Sequence, residues 1–465
     1  MPAHRQKLTA RQRTSELAVV LLILAAFGPY LGPGVRTEQI AVIVIAGLAI
    51  LAHPHLVGSI PPLVVLLVAL TATYVTLAVL ASLGDPTAGT GYEPVGMWAG
   101  LDNLLLPIAV LVAGYFIVAG AADRTRLVRA AAATLVILLA LNTVIAYLTL
   151  LGPSPLDELL PQWWSSGQTS TAQRAATMGR HSGIFNQPAE AGVMYSLGLI
   201  AAVYLLRRHS LRLAVVGVIL TVGGLLTASK IFLLIGLPVA LWQTWRDSSW
   251  RSRLGSVLAL GGVLVVFDYQ ARSPDTPIGG VLLAARFNPQ GRSGSLLSFY
   301  TASRFGENST LADAADLVLH HSPWFGFGID GIRIAYDSSW VEALVMLGVF
   351  GLLLQGAVMA VLVVCWLRAR SWAEPTAARF GLGVVIVAVA GSLGLPTLTS
   401  NRVTTVVWLL IALLLIRPTV GRHEIAQAST AATHRRSAPV PEQVVANGNT
   451  RHDIAGRRGA GPLRV

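Results

Sequence analysis

Three groups of polar residues, each at the edge of an apolar run, are able to do chemistry. The first is Arg180-His181-Ser182-Gly183-Ile184-Phe185-Asn186-Gln187-Pro188. Pro188 suits the first turn of a helix, with Asn186 or Gln187 near its cap. A helix start offers free N–H groups to an anion, and Arg180 adds a bidentate donor for phosphate. The plainer reading is an arginine snorkelling to lipid headgroups. The second group is Thr227-Ala228-Ser229-Lys230. Lys230 and Lys7 are the only lysines. A lysine between two apolar runs is costly unless paired, so Lys230 either holds a phosphate or lies at the membrane interface. The third group is Arg286, Arg292, Arg304, the pair His320-His321, then Pro323-Trp324-Phe325-Gly326-Phe327-Gly328, Asp337-Ser338-Ser339-Trp340 and Gly348-Val349-Phe350-Gly351. Asp337 is either an N-cap or a general base for a sugar hydroxyl. Trp324 and Trp340 stack on sugar faces or anchor at the interface. The glycines most simply allow close helix packing.

Arginines in this set share one chemistry. A lipid-linked diphosphate is a multiply charged anion at the membrane surface, and it favours guanidinium groups that never deprotonate. Soluble-enzyme signatures are missing from the sequence: there is no P-loop, dinucleotide glycine fingerprint, HExxH or Cys/His cluster of metal spacing. No cofactor and no metal are therefore expected. The one cysteine, Cys365, sits in an apolar run, which leaves no intramolecular disulfide and no cysteine-based metal site.

The elements that must position these residues are apolar helices. Of 465 residues, 54% are hydrophobic and 12% charged, with a mean hydropathy of +0.64. That excludes disordered and collagen-like chains and nearly every soluble globular class. Twelve apolar segments are expected to be transmembrane helices: 15–31, 38–52, 58–83, 101–121, 129–151, 189–206, 212–228, 230–245, 254–268, 339–367, 380–396 and 403–416. The predicted fold class is an all-α polytopic membrane protein. Residues 1–14 form a cytoplasmic N-terminus, 15–419 the transmembrane domain, and 420–465 a disordered basic cytoplasmic tail. No cleavable signal peptide is evident, so the first segment is expected to remain as a helix.

Most of the 34 Lys and Arg residues fall in short segments on one side, which orients both termini to the cytoplasm. The net charge of +12 is thus largely membrane topology and a basic tail, not a nucleic-acid surface. Loop 152–188 and the large loop 269–338 lie outside. Within the latter, Thr310 and Asp313 have capping-box spacing. Leu311, Ala314, Ala315 and Val318 repeat at helical spacing, and Pro323 stops the run.

At these residues the chain resembles the O-antigen ligase and O-antigen polymerase superfamily, over roughly residues 15–416. The resemblance rests on the twelve-segment plan, the large loop between segments nine and ten, and four local matches. Arg180 to Pro188 resembles the family's Arg, Gly-x-Phe, Asn-Pro stretch. Ser229-Lys230 matches a Ser-Arg pair, and Pro323 to Gly328 matches a Pro-x-x-Gly-x-Gly turn. Asp337-Ser338, followed at family spacing by Gly348-Val349-Phe350-Gly351, matches a His-polar motif that ends in Gly-x-x-Gly. Asp337 stands where ligases have histidine and Lys230 where arginine is usual, which favours a polymerase over a ligase.

The resemblance implies a metal-independent, inverting glycosyltransferase of the bacterial cytoplasmic membrane, active on its outer face in polysaccharide biosynthesis. Its donor would be an undecaprenyl-diphosphate-linked glycan and its acceptor a glycan or other hydroxyl, with membrane lipids and other polysaccharide-assembly proteins as partners. By that analogy Arg180, Lys230, Arg292 and Arg304 hold the diphosphate, with Arg304 preferred in the large loop. Asp337, or a loop histidine, activates the acceptor. Arg286, His181, Asn186, His320, His321, Trp324 and Trp340 line the substrate. The competing expectations are a transporter or flippase, against which stand few charges within the apolar runs and no clear internal duplication, and a non-catalytic scaffold working through its tail.

Overall fold

The computed structural model describes residues 2–32, 34–84, 100–151, 155–165, 171–246, isolated positions between 250 and 265, 310–331 and 337–417. Arg286, Arg292, Arg304, most of the large loop and the basic tail lie outside the described residues. The described residues are largely helical: α1 Pro2–Ala26, α2 Thr37–Ala52, α3 Pro62–Ser82, α4 Leu101–Gly120, α5 Arg124–Leu150, α6 Leu156–Trp164, α7 Thr171–Ala176, α8 Pro188–Leu206, α9 Ser210–Leu226, α10 Leu237–Arg246, α11 Thr310–His321, α12 Ser339–Ala369, α13 Pro375–Gly391 and α14 Asn401–Leu415. A short antiparallel ribbon, β1 Tyr30–Gly32 with β2 Val35–Arg36, joins α1 to α2. A π-helical turn, Phe232–Gly236, leads into α10.

Among the described residues, α3, α4, α5, α8 and α12 are long and apolar enough to cross a membrane, and α2, α9, α13 and α14 are apolar but shorter. Local chemistry sets several boundaries. Proline occupies the first turn of α3, α8 and α13, where a missing N–H costs nothing. Asp123 caps α5 by accepting from the Arg126 amide at 3.2 Å. Glu190 stands in the first turn of α8.

Two helices form the centre. α14 is buried from Arg402 to Ile416, and α8 is buried over almost its whole length. Helices apolar on every side belong in the middle of a bundle. α14 packs on α4, α13 and α1, while α8 packs on α5, α9 and α13. Any charge at the start of either helix is therefore drawn inside.

Hydrogen bonds tie the helix ends into two layers. At one end, here called the lower, Gln12 pairs with the Asp123 backbone. Arg207 meets Glu374 at 3.7 Å, and Gln243 donates to the Arg379 carbonyl at 2.9 Å. At the upper end Thr37 bonds Pro29, Ile329 bonds Ser82, and Arg402 bonds both Gly28 and Ile184.

α12 departs from the continuous span expected over 339–367. At Gly348 the backbone leaves the helix (φ 58°, ψ −142°). The Ser339 amide donates to the Ser392 carbonyl at 2.8 Å, while the Ser392 hydroxyl reaches the Met359 sulfur at 3.8 Å. In a straight helix residues 339 and 359 would stand about 30 Å apart. Both meet one residue, so α12 is folded into a V around the upper end of α13.

Candidate functional site

The Arg180–Pro188 stretch is knitted into the upper end through its backbone. The His181 amide donates to the Leu226 carbonyl at 2.8 Å, and Arg180 Nε donates to the Thr227 carbonyl at 3.1 Å. Asn142, buried in α5, donates to the Ser182 carbonyl at 3.2 Å and accepts from the Ile184 amide at 2.9 Å. Arg402 Nη1 donates to the Ile184 carbonyl at 2.6 Å. Phe185 packs edge-on against Phe27, with ring centroids 5.3 Å apart. A non-helical strand of backbone inside a bundle needs each of these partners, because its own peptide groups cannot satisfy one another.

Above this stretch, α6 and α7 roof a cavity of about 280 Å³. Its walls include His181, Asp157, Trp164, Gln173 and Thr149. His181 is buried, with Nδ1 3.4 Å from the Thr149 hydroxyl. Its Nε2 has no hydrogen-bond partner among the described residues. Burial holds the imidazole below its ordinary value of 6.5, with Asp157 opposing, so His181 is neutral at pH 7. A neutral imidazole beside a hydroxyl-lined cavity is able to accept a proton or a hydroxyl hydrogen bond. Asn186 is half-buried and its Oδ1 is likewise unpartnered among the described residues.

Lys230 follows the Thr227-Ala228-Ser229 turn. Ala228 there adopts φ +46°, uncommon for a residue with a Cβ. Lys230 is half-buried. The side chain of its neighbour Ile231 lies against Gly391, at the upper end of α13. Ser339 bonds that same end at Ser392. The structure thus brings the Arg180 stretch, the Lys230 turn and the start of α12 to successive positions on one rim. Asp337 is exposed and Trp340 half-buried, on either side of the α12 N-cap Ser338.

The two glycine motifs of the third group meet each other. The Phe327 and Gly328 amides donate to the Val345 and Met346 carbonyls at 2.7 and 2.8 Å. The Val349 amide donates to the Pro323 carbonyl at 2.8 Å. The 323–328 turn therefore satisfies the peptide groups that the break in α12 sets free. A Cβ on Gly348 would lie 2.3 Å from the Pro323 oxygen, and one on Gly326 would lie 2.6 Å from the Leu347 nitrogen. Close packing was the expected role of these glycines, and here it is close packing of backbone on backbone. Leu311 and Val318 of α11 join Phe327, Val341, Leu344 and Val345 in one cluster, with Ala314 and Ala315 against it, as their spacing predicts.

His320 and His321 are exposed at the end of α11, each Nδ1 facing a carbonyl of its own helix at 2.7 and 3.0 Å. Trp324 is exposed and packs beside Phe350. Neither placement brings these three side chains to the His181 cavity, whose walls they do not form.

Several charged residues at the upper end were not singled out from sequence. Arg36 meets Glu38 at 2.7 Å and Asp102 at 3.3 Å, and donates to Asn103 at 2.5 Å. Gln39 also bonds Asp102. Arg402 lies over the Tyr30 ring at 5.5 Å. Glu190 is buried, and neither of its carboxyl oxygens has a hydrogen-bond partner among the described residues. Glu342 lies inside α12. Glu38, Glu190 and Glu342 each stand in the first turn of their helix, α2, α8 and α12, and not in its middle. A single ionisable residue inside an apolar run is the signal that marks them.

No protein-family model matches the chain, and no characterised protein compared with it matches.

Proposed function

We propose that the protein is a bacterial membrane glycosyltransferase of about twelve spans, transferring or polymerising undecaprenyl-diphosphate-linked glycan on the outer face of the cytoplasmic membrane. Polymerisation is favoured over ligation. The upper end is the outer face in this reading. The lower end carries Arg124, Arg126, Arg207, Arg246, Arg368 and Arg379, which accords with a cytoplasmic side.

The observation that carries the proposal is the rim itself: Arg180 next to neutral His181 of the cavity wall, bonded to the turn that leads to Lys230, with Asp337 at the start of α12. A transfer reaction needs this division of labour. Cations neutralise the diphosphate as its bond to the anomeric carbon breaks, and a group without a proton receives the acceptor's hydroxyl proton. Arg180 and Lys230 take the first role, joined by Arg304 and Arg292 of the large loop. Asp337 or His181 takes the second. The cavity accommodates a sugar, with Trp164 as an apolar wall.

Two measurements on a strain lacking this protein test the reading. Surface glycan is expected to be lost, and single lipid-linked repeat units to accumulate. Long chains retained on lipid would instead identify a ligase, and an unchanged lipid-linked pool would refute transfer. A transporter is the second reading, favoured by the discontinuous α12, a device that substrate sites in transporters use. Flux of lipid-linked glycan across proteoliposomes holding only this protein would establish it.

A further inference from the structure

α6 is a nine-residue helix with no buried residue, yet it carries three leucines and two tryptophans. Its faces divide by helical spacing. Leu156, Asp157, Leu160, Pro161 and Trp164 line the His181 cavity. Leu159 and Trp163, four residues apart and so on one face, are 45% and 46% exposed and do not line the cavity. Glu158 and Gln162, also four apart, form an exposed polar face. An apolar flank bearing a tryptophan, next to a polar flank, is the pattern of a helix lying in a membrane interface. Two attachments set the depth of α6. Trp164 Nε1 donates to the carbonyl of Phe27 at 2.9 Å, directly after the end of α1. α6 also packs on α5 and β1. Along α5, Ile137, Leu141, Val144, Leu148 and, at its C-cap, Leu151 are exposed at three- and four-residue spacing. In a helix long and apolar enough to cross a membrane, such a bare stripe is the lipid-facing side. The stripe runs to the upper end of α5, and α6 begins shortly after it, at Leu156. On the adjoining ribbon Leu31 and Val35 are exposed too.

We propose that α6 lies in the membrane interface at the upper end, with Leu159 and Trp163 seated in lipid and Glu158 and Gln162 in water. Its partner is the phospholipid leaflet. Lipid is favoured over a second copy of the chain because the lipid-facing stripe of α5 leads directly to α6. Indole suits the place, being apolar over most of its surface with one N–H for the headgroup region. The two tryptophans thus divide the work: Trp164 is bonded inward to Phe27, and Trp163 faces the leaflet. The His181 cavity, roofed by this helix, then lies at headgroup depth. The placement holds whether the cavity serves transfer or transport.

The test uses full-length protein in nanodiscs of phosphatidylethanolamine and phosphatidylglycerol. Cys365, the one cysteine, is buried and is replaced by alanine. Single spin labels are then attached through Glu158→Cys, Leu159→Cys, Gln162→Cys and Trp163→Cys. Collision with oxygen, which concentrates in lipid, against collision with a nickel chelate, which stays in water, reads the depth of each label. Labels at 159 and 163 are expected about 5–10 Å into the headgroup–acyl boundary, and labels at 158 and 162 in water. Equal water exposure at all four positions would overturn the proposal. So would shielding of 159 and 163 from both reagents, which contact with a second copy of the chain would cause. Unsubstituted protein gives an independent reading. A phospholipid with a photoreactive group at headgroup level is expected to crosslink to the peptide that carries Leu159 and Trp163. Absence of that crosslink, while an acyl-chain probe marks α5 in the same discs, would also overturn it.

Discussion

Arg126 and Arg207 at the lower end of the bundle are used in the opposite way from Arg36 and Arg402 at the upper end. At the lower end Arg126 is 67% exposed and pairs loosely with Asp123 at 3.5 Å, while Arg207 meets Glu374 at 3.7 Å. At the upper end Arg36 and Arg402 are 3% and 1% exposed, and each holds several partners at fixed geometry. An exposed ion pair exchanges one hydrated state for another and contributes little. A buried guanidinium has no water to return to, so its partners hold backbone in place. Arg126 and Arg207 thus hold little in place, whereas Arg36 and Arg402 fix the backbone of the upper end; Arg124 is the lower-end exception, donating to the Leu413 carbonyl and lying over the Trp372 ring.

Variants at the two ends sharpen this contrast. The largest effect is expected for Arg402→Ala. It removes the bonds to Ile184 and Gly28 and the cation that acts most strongly on Glu190. A loss of about 3–5 kcal/mol is expected, read as a lower melting temperature in detergent together with loss of glycan. A variant as stable as the parent would break the comparison. Gly348→Ala comes next. The strained φ and the contact with Pro323 together are expected to cost about 1–3 kcal/mol, and hydrogen exchange in 323–350 should rise before the rest of the bundle opens.

Arg180→Ala and Lys230→Ala are expected to lower glycan output about 100-fold each, with a smaller fall in melting temperature than Arg402→Ala, whereas Arg207→Ala at the lower end leaves output intact. Equal loss at both ends would remove the distinction. The pH dependence is subtler. His181 binds a proton less readily when folded than when unfolded. The stability its neutral form contributes is whole above pH 6.5 and is lost as pH falls below that value through the folded-state pKa. Acid melting curves of His181→Asn are expected to lack this component, and its presence there would assign the pH dependence to another group. The smallest effect is expected for Arg126→Ala, within about 0.5 kcal/mol.

Much of this arrangement is legible in the chain. The helical spans follow from runs of apolar residues, because only a helix satisfies its peptide groups in an apolar medium. The α11 face follows from Leu311, Ala314, Ala315 and Val318, and its end from Pro323. The Arg180–Pro188 stretch and the Lys230 turn are recognisable as polar breaks between such runs. Less legible were Arg36, Glu190 and Arg402. Each sits one or two residues from an expected boundary, where a charge reads as an ordinary flanking group. Their burial depends on α8 and α14 being central, which no local pattern states.

Composition and periodicity determined by themselves that the described residues form apolar helices with several arginines near their ends, since those preferences belong to each segment alone. The folding of α12 into a V was decided by tertiary structure. A glycine tolerates many conformations, and the 323–328 turn arriving from another part of the chain selects the broken one by bonding the freed amides and carbonyls. The same holds for Glu342. Its sequence position puts it within a span, and only the meeting of α3, α4, α12 and α14 turns that position into a carboxyl group lining a small crevice.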